Sequence, residues 1–331
     1  MKKVQDINTL SASCQTPMQT SKNNIMKKSE KFKRQFQLTL WTYALFLFAT
    51  STVLAQSFED LNHLEGNITK TFYSNGSKEQ AQIMAKRCDN VISFYKSLIM
   101  FEPVVTLLVL SPDDWSKYTN FPVYGMPHYN DAKTLIVASE DNNFWKSFIP
   151  PLDQLSKELA QQISKTYSEK GNSLSMRGFF DLLAIHELGH AFHEQGGLYM
   201  QRKWMGELFA NILLHTYIAE KEPELIPALT VFPQMVVSST NKSDLKFTTL
   251  NELESNYDLL GQQYPNNYGW YQCRWHLAAG KIYDDGGKQA FKKLWQILKK
   301  QKEPLDDVAF ANLLSKKVHQ SVANVQLKWD E

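Results

Sequence analysis

"FDLLAIHELGHAFHEQGG", residues 180–197, sets two histidines four apart with a glutamate directly after the first. Leu182, Leu183, Ile185 and Phe192 surround them at helical spacing, and Gly196-Gly197 ends the pattern. On a helix, residues four apart share a face and lie about 6 Å apart along the axis. His186 and His190 can therefore offer two imidazoles to one ion. Glu187 is rotated by about 100° from His186, which places it beside such an ion without ligating it. Gly189 stands between the histidines, and glycine costs about 1 kcal/mol in a helix interior. Its presence predicts the close approach of another element.

A catalytic zinc takes three protein ligands and keeps one position open, where a water has its pKa lowered to about 7. Glu187 can accept that proton and pass it to a leaving amine. The competing reading is an ordinary core helix that carries two histidines; the apolar frame and the interior glycine favour the metal. The third ligand must come from elsewhere, because Glu194 lies about 12 Å of helix rise beyond His186 and His193 is nearly as badly placed. "RKWMGELFANILLH", residues 202–215, supplies Glu207 on a helix that the paired glycines turn back against the first. Trp204, Leu208, Phe209 and Ile212 argue that it is buried. His215, two turns on, is the alternative ligand, and Asn211 is placed to support the ligands.

The rest of the chain frames this pair of helices. Residues 79–100 place Met84, Cys88, Val91, Tyr95 and Leu98 at helical spacing. "VVTLLVL" (104–110) and "KTLIVAS" (133–139) read as buried strands, with "YGMPHYND" (124–131) as a turn cluster between them. Residues 153–169 read as helix. Further helices are expected over 177–194, 201–220, 249–262, 267–283, 286–300 and 305–317, with a short last one over 321–329. The expected fold is α+β: a small α/β lobe over 56–171, then an all-helical lobe over 172–331, with the active-site cleft between them.

Residues 1–55 hold eight Lys/Arg against two acids, leaving 28 basic and 32 acidic residues in the remainder. That balance is no nucleic-acid footprint. The basic run "KKSEKFKRQFQ", the apolar "LTLWTYALFLFATSTVLA" and the small residues Val53 and Ala55 form the three-part pattern of a secretory signal over about 26–55. The expectation is a secreted or periplasmic protein with no stable membrane anchor after cleavage. Met26 is a plausible true start. Cys88 and Cys273 lie in apolar helical patterns, so a bridge and two buried thiols stay open alternatives.

The motif His186-Glu187-x-x-His190, followed by Glu207 in the setting "WMGELFA", resembles the gluzincin zinc metallopeptidases of the peptidase MA-like group, related to the aminopeptidase and thermolysin branches. The resemblance implies Zn²⁺ on His186, His190 and Glu207, with Glu187 as general base and a peptide or protein as substrate. It also implies an edge strand near "KTLIVAS" that pairs with extended substrate, and a tyrosine that assists the oxyanion. Tyr264, Tyr268 and Tyr271 fall in the window for that tyrosine, Tyr268 being the first choice and Tyr271 the next. The aminopeptidases carry a Gly-x-Met-Glu-Asn segment whose glutamate holds a free substrate amine. Gly125-Met126-Pro127-His128 has no acid there, which disfavours amine-anchored exopeptidase action. The alternative from another class is a catalytically inactive zinc- or peptide-binding protein on the same fold.

Overall fold

The two apolar runs find each other as neighbouring strands of one sheet. A computed structural model describes residues 58–130, 133–149, 151–169 and 173–331; the expected signal segment lies outside them. The strands are β1 (Asn62–Leu64), β2 (Lys70–Tyr73), β3 (Thr106–Leu110), β4 (His128–Asn130) and β5 (Thr134–Ala138), in the order β1-β2-β3-β5-β4. β2, β3 and β5 run parallel, with Leu107 beside Leu135 and Val109 beside Val137; β1 and β4 flank them antiparallel. Parallel strands covered on both faces read as unbroken apolar runs, and TLLVL and TLIVA do so. Leu107, Val109, Leu135 and Val137 join one apolar cluster; Leu108, Leu110, Ile136 and Ala138 join another with Trp115, Trp145 and Phe180.

"KTLIVAS" forms β5, an interior strand, so the edge beside it is β4, which comes from within the expected turn cluster. The reason is a local hairpin: the Lys133 N–H donates to the Asn130 carbonyl at 3.0 Å, and Lys133 takes φ 59°. Only three residues pair, too few to leave an alternating signature in the sequence.

Helix α1 (Lys78–Ile99) buries Ala81, Met84, Ala85, Cys88, Val91, Ile92 and Tyr95 along one stripe. The Tyr95 hydroxyl donates to the Leu213 carbonyl at 2.6 Å, fastening α1 to the helical layer. After β3 comes α2 (Pro112–Tyr118); after β5 come α3 (Asn143–Lys146) and α4 (Lys157–Tyr167). The motif helix α5 (Arg177–Gln195) and its partner α6 (Lys203–Lys221) follow. Gly197, at φ 62°, lets the chain leave α5 and double back. A Cβ on Gly189 would stand 2.8 Å from the Ala210 Cα, so the close approach expected of Gly189 is the crossing of α6.

Helix α7 (Ile226–Ser239) has no counterpart in the sequence reading, because Pro233 inside it reads as a breaker. α8 (Leu250–Gln263) is opened by a capping box in which Thr249 and Glu252 bond each other's backbone. The helices expected over 267–283 and 286–300 form one element, α9 (Pro265–Lys300), interrupted at Gly287 with φ 57° and ψ −165°. α10 (Asp307–Lys317) and α11 (Gln320–Leu327) finish the chain. The architecture is mixed α+β, with a small five-stranded sheet and a helical C-terminal region. Cys88 and Cys273 are free, buried thiols, and burial pushes each up to about 12. Among the described residues no helix is long and apolar enough to cross a membrane.

Candidate metal centre

His186 and His190 project from one face of α5, with ring centroids 5.0 Å apart and planes at 78°. Their Nε2 atoms stand 3.3 Å apart. From α6, Glu207 Oε2 comes within 3.2 Å of His186 Nε2 and 3.8 Å of His190 Nε2. Zinc bonds of about 2.0–2.1 Å in a tetrahedron separate neighbouring donors by about 3.3 Å. Two of the three separations match one face of such a tetrahedron and the third, His190 to Glu207, is about 0.5 Å wider, so the donor set fits zinc with a small closure of that edge. His186 and Glu207 are each 5% exposed and so withdrawn from water, while His190 is partly buried.

Burial pushes the Glu207 carboxyl up, but His190, His186 and the Tyr257 hydroxyl outweigh it and hold Glu207 far below the carboxylate range. Correspondingly, burial opposes a charge on His186, but Glu207 and Glu187 raise it above its ordinary value. His190 is pushed down to about 4, chiefly by burial. Glu187 is pushed up to about 7 by burial, against the pull of His186.

Donor atoms of His186, Glu187 and His190 also lie within 4.8 Å of one another. Glu207 and Glu187 approach the imidazoles differently. The Glu207 oxygen meets both rings near ligand spacing, whereas Glu187 Oε2 accepts the Tyr129 backbone N–H at 3.1 Å. That N–H leaves β4 toward α5, so the terminal strand of the sheet steers the carboxylate.

A layer of polar groups supports Glu207. The Tyr257 hydroxyl donates to Oε1. Gln272 Nε2 donates to Oε2 at 2.7 Å and to the Tyr268 hydroxyl at 2.8 Å. Tyr268 and Tyr257 hydroxyls are 3.4 Å apart. Burial, then Glu207, raises Tyr268 well above its ordinary value, so its proton stays on. Tyr271 is tied elsewhere: its hydroxyl donates to the Thr249 carbonyl at 2.8 Å and its ring stacks on Trp329. Tyr264 accepts from Lys246 at 2.7 Å. Of the three tyrosines weighed from sequence, Tyr268 alone is hydrogen-bonded into the network around Glu207.

Asn211 is fully buried and donates to the Glu207 carbonyl at 3.0 Å and to Gln272 Oε1 at 3.3 Å. Its Oδ1 and His186 Nδ1 are buried without another partner, and Asn211 is among the groups that favour the protonated His186. His215 instead lies against α9: its ring centroid is 5.9 Å from that of Tyr283, and a Cβ on Gly280 would stand 3.1 Å from its Cε1. Tyr129, Tyr257 and Gln272 escaped the sequence reading, and His193 entered it only as a rejected ligand. Tyr257 and Gln272 sit 50 and 65 residues from Glu207, and no local pattern marks such a contact. His276 escaped it too: it is buried behind His186 at 6.2 Å between rings, and burial lowers it well below its ordinary value.

Two cavities flank α5. One of about 400 Å³ adjoins Tyr129 and is walled by Phe101, Glu102, Lys133, Glu194 and Gln195. A larger one, about 570 Å³, includes Ser77, Ser111, Ser139, Arg177 and Asp181, and none of the donor residues. In it Arg177 donates to Gln80 at 2.9 Å and to the Ser139 carbonyl at 3.2 Å, and sits 3.6 Å from Asp181. Comparison with protein-family models finds no match, and comparison with curated proteins finds none either.

Proposed function

We propose that the protein is an exported zinc-dependent peptidase of the gluzincin kind, in which His186, His190 and Glu207 hold the ion. The observation that carries this reading is the convergence of two imidazole nitrogens and one carboxylate oxygen at 3.2, 3.3 and 3.8 Å. When bound, zinc supplies a Lewis acid that polarises a carbonyl and acidifies water. Glu187 takes the proton and returns it to the departing amine; burial and the Tyr129 N–H set its basicity and its aim. Tyr268, kept protonated, donates to the developing oxyanion. Tyr257 and Gln272 keep Glu207 in place and anionic. Extended substrate lies along the outer edge of β4, the strand whose Tyr129 N–H meets Glu187. The cavity of about 400 Å³ beside Tyr129 receives a substrate side chain.

The test is Glu187→Gln. The variant should bind zinc as the parent does and lose peptide hydrolysis by about 10²–10⁴-fold, the span of general acid–base catalysis. A parent protein that binds zinc yet cleaves no member of a broad peptide library would favour the inactive binding protein instead.

A further inference from the structure

His193 takes no part in the mechanism above. It follows His190 by one turn of α5, and its Nε2 stands 2.9 Å from His190 Nδ1, with the rings edge to face at 81°. Two ring nitrogens at that distance share one proton, so one donates and the other accepts. The other nitrogen of His190 decides which. His190 Nε2 points at His186 Nε2 and Glu207 Oε2, into the donor cluster. A ring nitrogen meets a cation through its lone pair, so the proton of His190 belongs on Nδ1. His193 Nε2 is then the acceptor.

Both helices of the site hold His193 there. α5 presents it, and the Phe209 ring of α6 meets it at right angles, 5.9 Å between centroids. A Cβ on Gly206 of α6 would stand 3.8 Å from His193 Nε2. The helix crossing that delivers Glu207 thus also seats the partner of His190. A ligating histidine usually gives its second N–H to a carboxylate, a carbonyl or water, which fixes ring and tautomer; here another imidazole fills that place.

We propose that His193 is a positioning residue that locks His190 in its Nδ1–H tautomer and so presets the Nε2 lone pair toward the cation. The tautomer and the effect on metal affinity are argued from the zinc reading; the contact between the two rings is not. The test has two arms on the full chain. In the metal-free protein labelled with ¹⁵N-histidine, long-range ¹H–¹⁵N spectra should show His190 as the Nδ1–H form. That form should persist in His193→Gln, whose amide oxygen replaces the acceptor, and be lost in His193→Phe. In a chelator-competition titration, His193→Phe should weaken zinc by about 10–100-fold and His193→Gln by no more than about threefold. His190 as the Nε2–H form in the parent would overturn the proposal. So would His193→Gln as weak as His193→Phe, or His193→Phe equal to the parent in both arms. A parent with His190 as the Nδ1–H form and no zinc affinity would sink the metal reading while upholding the His190–His193 lock.

Discussion

Glu187 and Glu207 are the same residue type, buried beside the same imidazoles, and the fold drives them in opposite directions. Glu207 receives donors on both oxygens and stays anionic; Glu187 has one backbone N–H and is pushed up to about 7 by burial. Two carboxyls with separated proton affinities suit the roles of ligand and base. The two tyrosines beside them separate in the same way. Tyr268→Phe should lower kcat by about 10²-fold with zinc content unchanged, as for loss of an oxyanion donor. Tyr257→Phe removes a donor from Glu207 and should instead weaken zinc by about tenfold. Kinetics and metal analysis on both variants check this, and the reverse assignment would exchange their roles. At this scale the sequence reveals what one helix turn encodes: His186, Glu187 and His190 follow from spacing alone. Glu207 follows from its apolar setting and from the turn before it. Tyr257 and Gln272 do not follow, because their contacts exist only once α8 and α9 have packed on α6.

At the scale of the element, the distance between α5 and α6 is set by a missing side chain. A Cβ at Gly189 would meet the Ala210 Cα at 2.8 Å and its Cβ at 3.0 Å. Gly189→Ala should therefore cost about 1–3 kcal/mol by overpacking, despite the better helix propensity of alanine. Because Glu207 lies one turn from Ala210, zinc affinity should fall with it. Denaturant unfolding and a zinc titration read both effects, and a stabilised variant would refute the tight crossing. The start of α8 carries a second prediction. Glu252 accepts from the Thr248 and Thr249 N–H groups at 2.9 Å each, which holds its carboxyl below the ordinary value. A depressed carboxyl contributes stability above its unfolded value of about 4.3 and loses it as pH falls through the folded value. The stability gap between the parent and Glu252→Gln should thus be present at neutral pH and close under acid, while Thr249→Ala should cost about 1 kcal/mol. A gap that widens on acidification would contradict the sign. Elements with strong periodicity or long apolar runs, such as α1, β3 and β5, were readable in the chain. α7 was masked by Pro233, and β4 was too short to declare itself.

At the scale of the molecule, the sheet and the helical region share one apolar cluster, so Val109 and Val137 belong to the same core as Leu208 and Trp295. The α+β class was legible because the strand-like runs precede the helical periodicity along the chain. The helix order around the donor set was not, since it depends on which faces α8 and α9 turn toward α6. That packing brings a buried anion and two imidazoles to one point. The most direct test of the account is a calorimetric zinc titration of the metal-free full chain, run beside His186→Ala, Glu207→Ala and Glu187→Gln. One zinc per chain is expected for the parent and for Glu187→Gln, with the high-affinity event gone from the other two. A parent that takes up no zinc, or a Glu207→Ala variant that binds as tightly as the parent, would contradict it.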